Sequence, residues 1–220
     1  MRVFLITGFA LDKRAFALLD LPTDKYQLVD LIPVVKGESL SDYALRLSQS
    51  MGVQPGDIVG GVSLGGMLAL EMAKTVKVGG IILIASCTHP RYIKKRFLTF
   101  APLAPLVPDF LIRQIFLMIP TVLKWQNMLT PTGQALLADI MGKFPPSLLK
   151  ALPPMMRNWS GCNPPDKFRH LHSESDWLIN PADGEKGLRI IPGKNHLITV
   201  SHPKEVRSFI IETVEEFLKD

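Results

Sequence analysis

Three side chains far apart in the chain have the types that nucleophilic acyl chemistry needs. Ser63 sits in Gly61-Val62-Ser63-Leu64-Gly65, between a short apolar run, Ile58-Val59, and an apolar helical stretch from Met67 to Ala73. In a strand–turn–helix context, G-x-S-x-G spacing makes a nucleophile elbow whose serine hydroxyl stands clear of the sheet. The flanking glycines leave room where chain segments would otherwise collide. A serine hydroxyl is a weak nucleophile at neutral pH and needs a neighbouring base. His196, in Gly193-Lys194-Asn195-His196, follows the last expected strand and precedes a C-terminal helix, so its loop can carry an imidazole over the strand ends. The imidazole in turn needs a carboxylate to fix its tautomer and stabilise its charged form. Asp176, opening Asp176-Trp177-Leu178-Ile179-Asn180, is the first choice, with Glu174 and Asp183 as rivals.

The other histidines read differently. His202, before Pro203, suits a helix cap. His170 and His172 fall in or beside a strand, with His172 near enough to order the acid loop, and His89 reads as surface. A tetrahedral oxyanion requires preorganised N–H donors. The backbone N–H of Leu64, directly after Ser63, is one candidate. The Phe9 N–H, in the loop after the first strand, is the other, with Gly8 allowing close approach.

Apolar runs that lack alternation predict strands at residues 3–7, 27–33, 57–62 and 80–85, as expected when helices cover both faces of a parallel sheet. Ser39-Leu40-Ser41-Asp42 has the pattern of a capping box opening a helix toward Met51. From Thr88 to Ser160 the rhythm changes. Ten of the 18 prolines lie there, and they break the segment into short helical stretches at 91–100, 109–119, 134–144 and 147–152. Two more strands are expected at 168–172 and 188–191. A final amphipathic helix is expected at 203–218, with Ser201 as its N-cap. The expectation is an α/β fold with a mostly parallel sheet of about six strands. Residues 1–87 and 161–220 form its core, and residues 88–160 a helical lid.

The 47% hydrophobic and 20% charged content reads as an ordinary globular protein. Basic residues spread along the chain, apart from Arg91 and Lys94-Lys95-Arg96, which disfavours a nucleic-acid binder. Cys87 and Cys162 have no metal-ligand or CxxC spacing, so the expectation is free thiols, no metal and a reducing compartment. The apolar N-terminus is too short for a signal peptide, and no uninterrupted run of about 20 apolar residues marks a transmembrane segment. A cytoplasmic location is expected.

Five segments then carry a family resemblance: LITGF at 5–9, VDLIP at 29–33, GVSLGG at 61–66, ESDWLINP at 174–181 and IPGKNHLITVSHPKEV at 191–206. In this order they resemble the α/β-hydrolase superfamily. The match is to its lid-bearing carboxylesterase branch, which includes methyl esterases acting on pimeloyl-carrier protein. The resemblance implies ester hydrolysis by Ser63, Asp176 and His196 through an acyl-enzyme, without a cofactor. The chain departs from it in three places. Thr7-Gly8 stands where many relatives have His-Gly, the chain starts at what would be the third strand, and the 176–196 segment is short. The insertion is rich in large apolar residues. With Gly8, Met67 and Trp177, its Phe97, Phe116 and Trp125 are expected to line a pocket for an apolar acyl or aromatic ester. The basic cluster at 91–96 would suit an acidic acyl-carrier protein or an anionic membrane.

Overall fold

The computed structural model describes every residue except 127, 183 and 220. Six strands form one parallel sheet: β1 (Val3–Ile6), β2 (Tyr26–Val29), β3 (Ile58–Val62), β4 (Gly80–Ile84), β5 (Phe168–Ser173) and β6 (Leu188–Ile191). Their order is β2-β1-β3-β4-β5-β6. The unbroken apolar runs follow from burial on both faces. Phe4, Ile6, Val59, Ile81 and Leu83 point into one core, and Val3, Leu5, Ile58, Ile82 and Ile84 into the other. Helices α1 (Leu40–Met51) and α2 (Leu64–Met72) cover the first face, while α8 (Pro203–Lys219) covers the second.

The capping box forms as expected: the Asp42 N–H donates to the Ser39 hydroxyl oxygen at 3.1 Å, and the Ser39 N–H donates to the Asp42 carboxylate at 3.1 Å. Strand β2 ends at Val29, four residues earlier than expected. The Tyr43 hydroxyl binds both the Ile32 N–H, at 2.8 Å, and the Ile32 carbonyl, at 2.7 Å. That competing partner draws the chain off the sheet just before Pro33, which has no N–H to donate.

Between β4 and β5 the chain is helical, with α3 (Lys95–Phe100), α4 (Asp109–Trp125), α5 (Pro131–Lys143) and α6 (Pro146–Arg157). Two of these overrun their expected ends. Helix α4 continues through Pro120, and α6 through Pro153 and Pro154. Each proline loses one backbone hydrogen bond. Burial of Ile112, Pro120 and Leu123 on α4, and of Leu148, Leu149, Leu152 and Met155 on α6, outweighs that loss. Ser201 does not cap the last helix. It ends the single turn α7 (Ile198–Ser201), its hydroxyl bonding back to the Leu197 carbonyl, and α8 starts from the His202 carbonyl instead.

Candidate active site

Strand β3 delivers Ser63 into a backbone conformation, φ 52° and ψ −116°, that a residue with a side chain seldom adopts. Close packing makes that turn possible. A Cβ on Gly61 would lie 2.5 Å from the Ile6 carbonyl oxygen, and one on Gly65 would lie 2.2 Å from it. Only hydrogen fits at either position. Two further bonds brace the turn. The Ser63 N–H donates to the Ile84 carbonyl at 2.9 Å, and the Ser86 hydroxyl donates to the Ser63 carbonyl at 2.6 Å. Ser86 is fully buried. Its place directly after β4 was the only signal that it would face the elbow.

The loops after β5 and β6 bring the other two residues to the serine. His196 Nε2 lies 2.9 Å from Ser63 Oγ, and His196 Nδ1 lies 2.6 Å from Asp176 Oδ2. The second oxygen, Asp176 Oδ1, accepts the N–H groups of Leu178 and Ile179 at 2.7 and 3.0 Å. Burial by itself pushes the Asp176 carboxyl up. The adjoining His196 imidazole, His172 and the Ile179 N–H outweigh that and hold it below its ordinary value. Asp176 therefore stays ionised beside the ring, and an Nδ1–H donor toward it leaves Nε2 free to take the serine proton. All three side chains are at most 5% exposed. In such a dry setting, charge–dipole interactions exceed those in water.

Of the rival acids, Glu174 is exposed, and Asp183 lies outside the described residues. His172 is fully buried, with Nδ1 3.0 Å from the Ser173 carbonyl and Nε2 3.7 Å from Asp176 Oδ2. Burial, reinforced by His170, lowers its pKa to about 4. His172 is thus a neutral neighbour of the acid. His89 caps a turn by accepting the Arg91 N–H.

The loop after β1 turns sharply, with Ala10 at φ 59°. A Cβ on Gly8 would come 3.3 Å from Ser63 Cβ, so this loop runs against the serine. Among the described residues, neither the Phe9 nor the Leu64 N–H has an acceptor. Leu64 also begins α2, whose N-terminal end favours negative charge.

The expected pocket residues divide. The Phe116 ring meets Phe9 edge-on at 5.4 Å, and Trp177 meets His196 at 5.5 Å, with Phe97 tilted against Trp177 at 6.0 Å. Met67 is 1% exposed inside the core and offers a ligand no surface. Trp125 is 83% exposed, which removes it from the pocket expected to hold it. A cavity of about 790 Å³ lies between the 34–41 loop and α6, and neither Ser63 nor His196 lines it.

Three of the four basic residues at 91–96 have partners within the chain, the Arg91 guanidinium donating to the Tyr92 hydroxyl at 2.9 Å. Lys94 Nζ donates to the Asp176 carbonyl at 2.6 Å, and the Arg96 guanidinium to the Trp177 carbonyl at 2.8 Å. The start of the insertion is thereby fastened to the acid loop. Asn195 fastens the histidine loop in the same way, its amide donating to the Met128 carbonyl at 2.9 Å. Neither tie follows from a motif, because both join residues distant in sequence.

Residues 6–209 match the model described as the alpha/beta hydrolase family. Among solved structures, a thermophilic esterase from Thermogutta terrifontis superposes with a TM-score of 0.74 at 19% identity, covering 99% of this chain and 90% of that one. The enol-lactonase from Burkholderia xenovorans LB400 gives 0.72 at 11% identity, covering 97% and 91%. A putative aryl esterase from Burkholderia cenocepacia gives 0.69 at 12% identity, covering 100% and 91%. At these identities the likeness is one of fold. No curated protein matches the sequence.

Proposed function

Because this chain belongs to the alpha/beta hydrolase family, we propose that it is a serine carboxylesterase acting on esters with apolar acyl groups. One unbroken hydrogen-bonded run carries the proposal: Ser63 Oγ to His196 Nε2 at 2.9 Å, and His196 Nδ1 to Asp176 at 2.6 Å. Ser63 Oγ attacks the ester carbonyl carbon while His196 Nε2 takes its proton. Asp176 stabilises the imidazolium. The N–H groups of Leu64 and Phe9 receive the developing oxyanion. As the tetrahedral intermediate collapses, His196 gives its proton to the departing alcohol and an acyl-Ser63 ester remains. A water deprotonated by His196 then releases the acid and restores the serine.

The rings of Phe116 and Phe144 each meet that of Phe9 beside the oxyanion donor, and Trp177 with Phe97 flanks the base. These surfaces favour an apolar acyl or aromatic group. The inserted helices, which supply Phe97, Phe116 and Phe144, act as the lid over it. A carrier-linked substrate is less supported, since Lys94 and Arg96 already bind carbonyls within the chain.

A fluorophosphonate probe tests the mechanism, and a panel of esters and thioesters of increasing acyl length tests the substrate. Wild type should be labelled, Ser63→Ala should not, and turnover should rise with acyl apolarity. Unlabelled wild type, or equal labelling of both, sinks the proposal. Thioesters turned over faster than every ester would move the activity to thioester hydrolysis.

A further inference from the structure

The inserted helices carry a second apolar surface that faces away from the site. Of the 16 large apolar residues that stand exposed among the described residues, ten lie between Phe97 and Trp125. They are not scattered. On α4, Leu111, Ile115, Met118, Val122 and Trp125 are spaced four, three, four and three apart. At about 100° per residue, these five share an arc of roughly 80°. The buried side of the same helix is turned about 100–120° away from this stripe, with Ile112 and Leu123 at 5% and 4% exposure. Helix α4 is therefore apolar on two faces, and only one of them is covered. An ordinary surface helix has a single apolar stripe, and exposed patches of this kind mark an interaction surface.

Charge identifies what covers it. Residues 88–160 hold nine Lys and Arg against two acids, Asp109 and Asp139, a net of 9 − 2 = +7. The rest of the chain holds 16 against 18, a net of 16 − 18 = −2. The basic residues run along the whole chain, but the acids avoid the insertion. Both of its acids are already paired: Asp109 with Lys150, and Asp139 with Lys143 and Arg14. Lys95, exposed, precedes Phe100 on α3, while Arg113 and Lys124, also exposed, lie on the side of α4 turned away from the stripe. Helix α4 spans 17 residues, short of the roughly 20 that cross a bilayer. Apolar residues on one side, a surrounding segment of net positive charge and an exposed tryptophan at the end are the chemistry of a helix lying in a lipid interface.

We propose that the outward face of α3 and α4 docks on an anionic phospholipid surface. A second copy of the chain is disfavoured, because two such faces would each bring the same excess of positive charge. An acidic carrier protein would match the charge but not a continuous stripe of aliphatic and aromatic side chains. A lipid surface matches both, and attraction between basic segments and anionic headgroups is additive along the segment.

Flotation of the full-length protein with vesicles tests this, comparing phosphatidylcholine alone with a mixture containing phosphatidylglycerol. Wild type should float with the anionic vesicles and at least tenfold less with the neutral ones. Ile115→Ser/Met118→Ser/Val122→Ser and, separately, Lys95→Glu should each weaken binding at least tenfold with an unchanged melting temperature. Lys186→Glu/Lys204→Glu, on the core, should bind as wild type does. Ser63→Ala should float equally well, so failure of the esterase proposal would leave this test intact. The docking proposal is overturned by wild type that ignores anionic vesicles or by a serine triple variant that still binds them. It is also overturned by a concentration-dependent dimer that the triple variant abolishes. Capture of an acidic carrier protein without vesicle binding would do the same.

Discussion

The elbow around Ser63 and the inserted helices differ in how tightly their surroundings specify them. At the elbow, added carbons at Gly61 and Gly65 would collide with the Ile6 carbonyl, and backbone and hydroxyl bonds from Ile84 and Ser86 secure the turn. On the outside of the insertion, large side chains such as Leu106, between α3 and α4 and 78% exposed, and Phe110, on α4 and 71% exposed, meet little protein. One region is constrained by backbone it cannot displace. The other is free to change unless something outside the chain constrains it. The elbow holds chemistry still, whereas the insertion presents surface.

Four substitutions probe that contrast. Asp176→Asn should lower kcat about ten-thousandfold with the fold intact, because the amide holds the wrong imidazole tautomer. Steady-state kinetics with circular dichroism would check it, and a loss under tenfold would remove Asp176 from the relay. Gly65→Ala should destabilise the protein by about 3 kcal/mol or more, since its Cβ meets rigid backbone. Denaturant unfolding reads this directly, and a neutral result would mean that the elbow is as pliable as the insertion.

His172→Gln should change how stability depends on pH. Its folded pKa, about 4, lies below the ordinary 6.5. Above 6.5 neither state binds the proton. As pH falls from 6.5 toward 4, the unfolded chain takes up a proton that the folded chain refuses, so stability falls. The accumulated loss is about 3 kcal/mol. Asp176, held below its own ordinary value, gives up its contribution only at lower pH. Unfolding curves between pH 7 and 4.5 should therefore be flatter for the variant than for wild type. Equal slopes would show that His172 protonates freely. The smallest effect belongs to Leu106→Ser, which should change stability by no more than about 0.5 kcal/mol. A larger loss would mean that the outer face is packed after all.

Much of this was legible along the chain because the signals are local. Four of the six strands show as short apolar runs, and the elbow as a spacing of two glycines about a serine. The capping box shows as Ser39 and Asp42. What the sequence hid was decided by competition between distant groups. Tyr43 captures Ile32 and shortens β2, and buried faces carry α4 and α6 through prolines that would end an isolated helix. Ser86, Lys94 and Asn195 reach the site from other parts of the fold. Trp125 reads as a pocket residue by type, yet its helical angle turns it outward. Composition names a side chain's chemistry but not the direction in which a packed helix aims it.

The neighbouring strands β4 and β5 pair in register, Ile81 with Phe168, although the whole insertion separates them in sequence. Because β4 and β5 are parallel, the chain leaves one end of the sheet and re-enters at the other, but the two ends of the insertion meet on the way, the Cys162 N–H donating to the Thr88 carbonyl at 2.8 Å. Closing a long excursion between fixed neighbouring ends becomes harder only logarithmically, by about 0.6 kcal/mol for each doubling of its length. The sheet is thus almost indifferent to how long the excursion is. In evolution or in the laboratory, a different helical segment can be exchanged at this seam, giving the same serine a new covering.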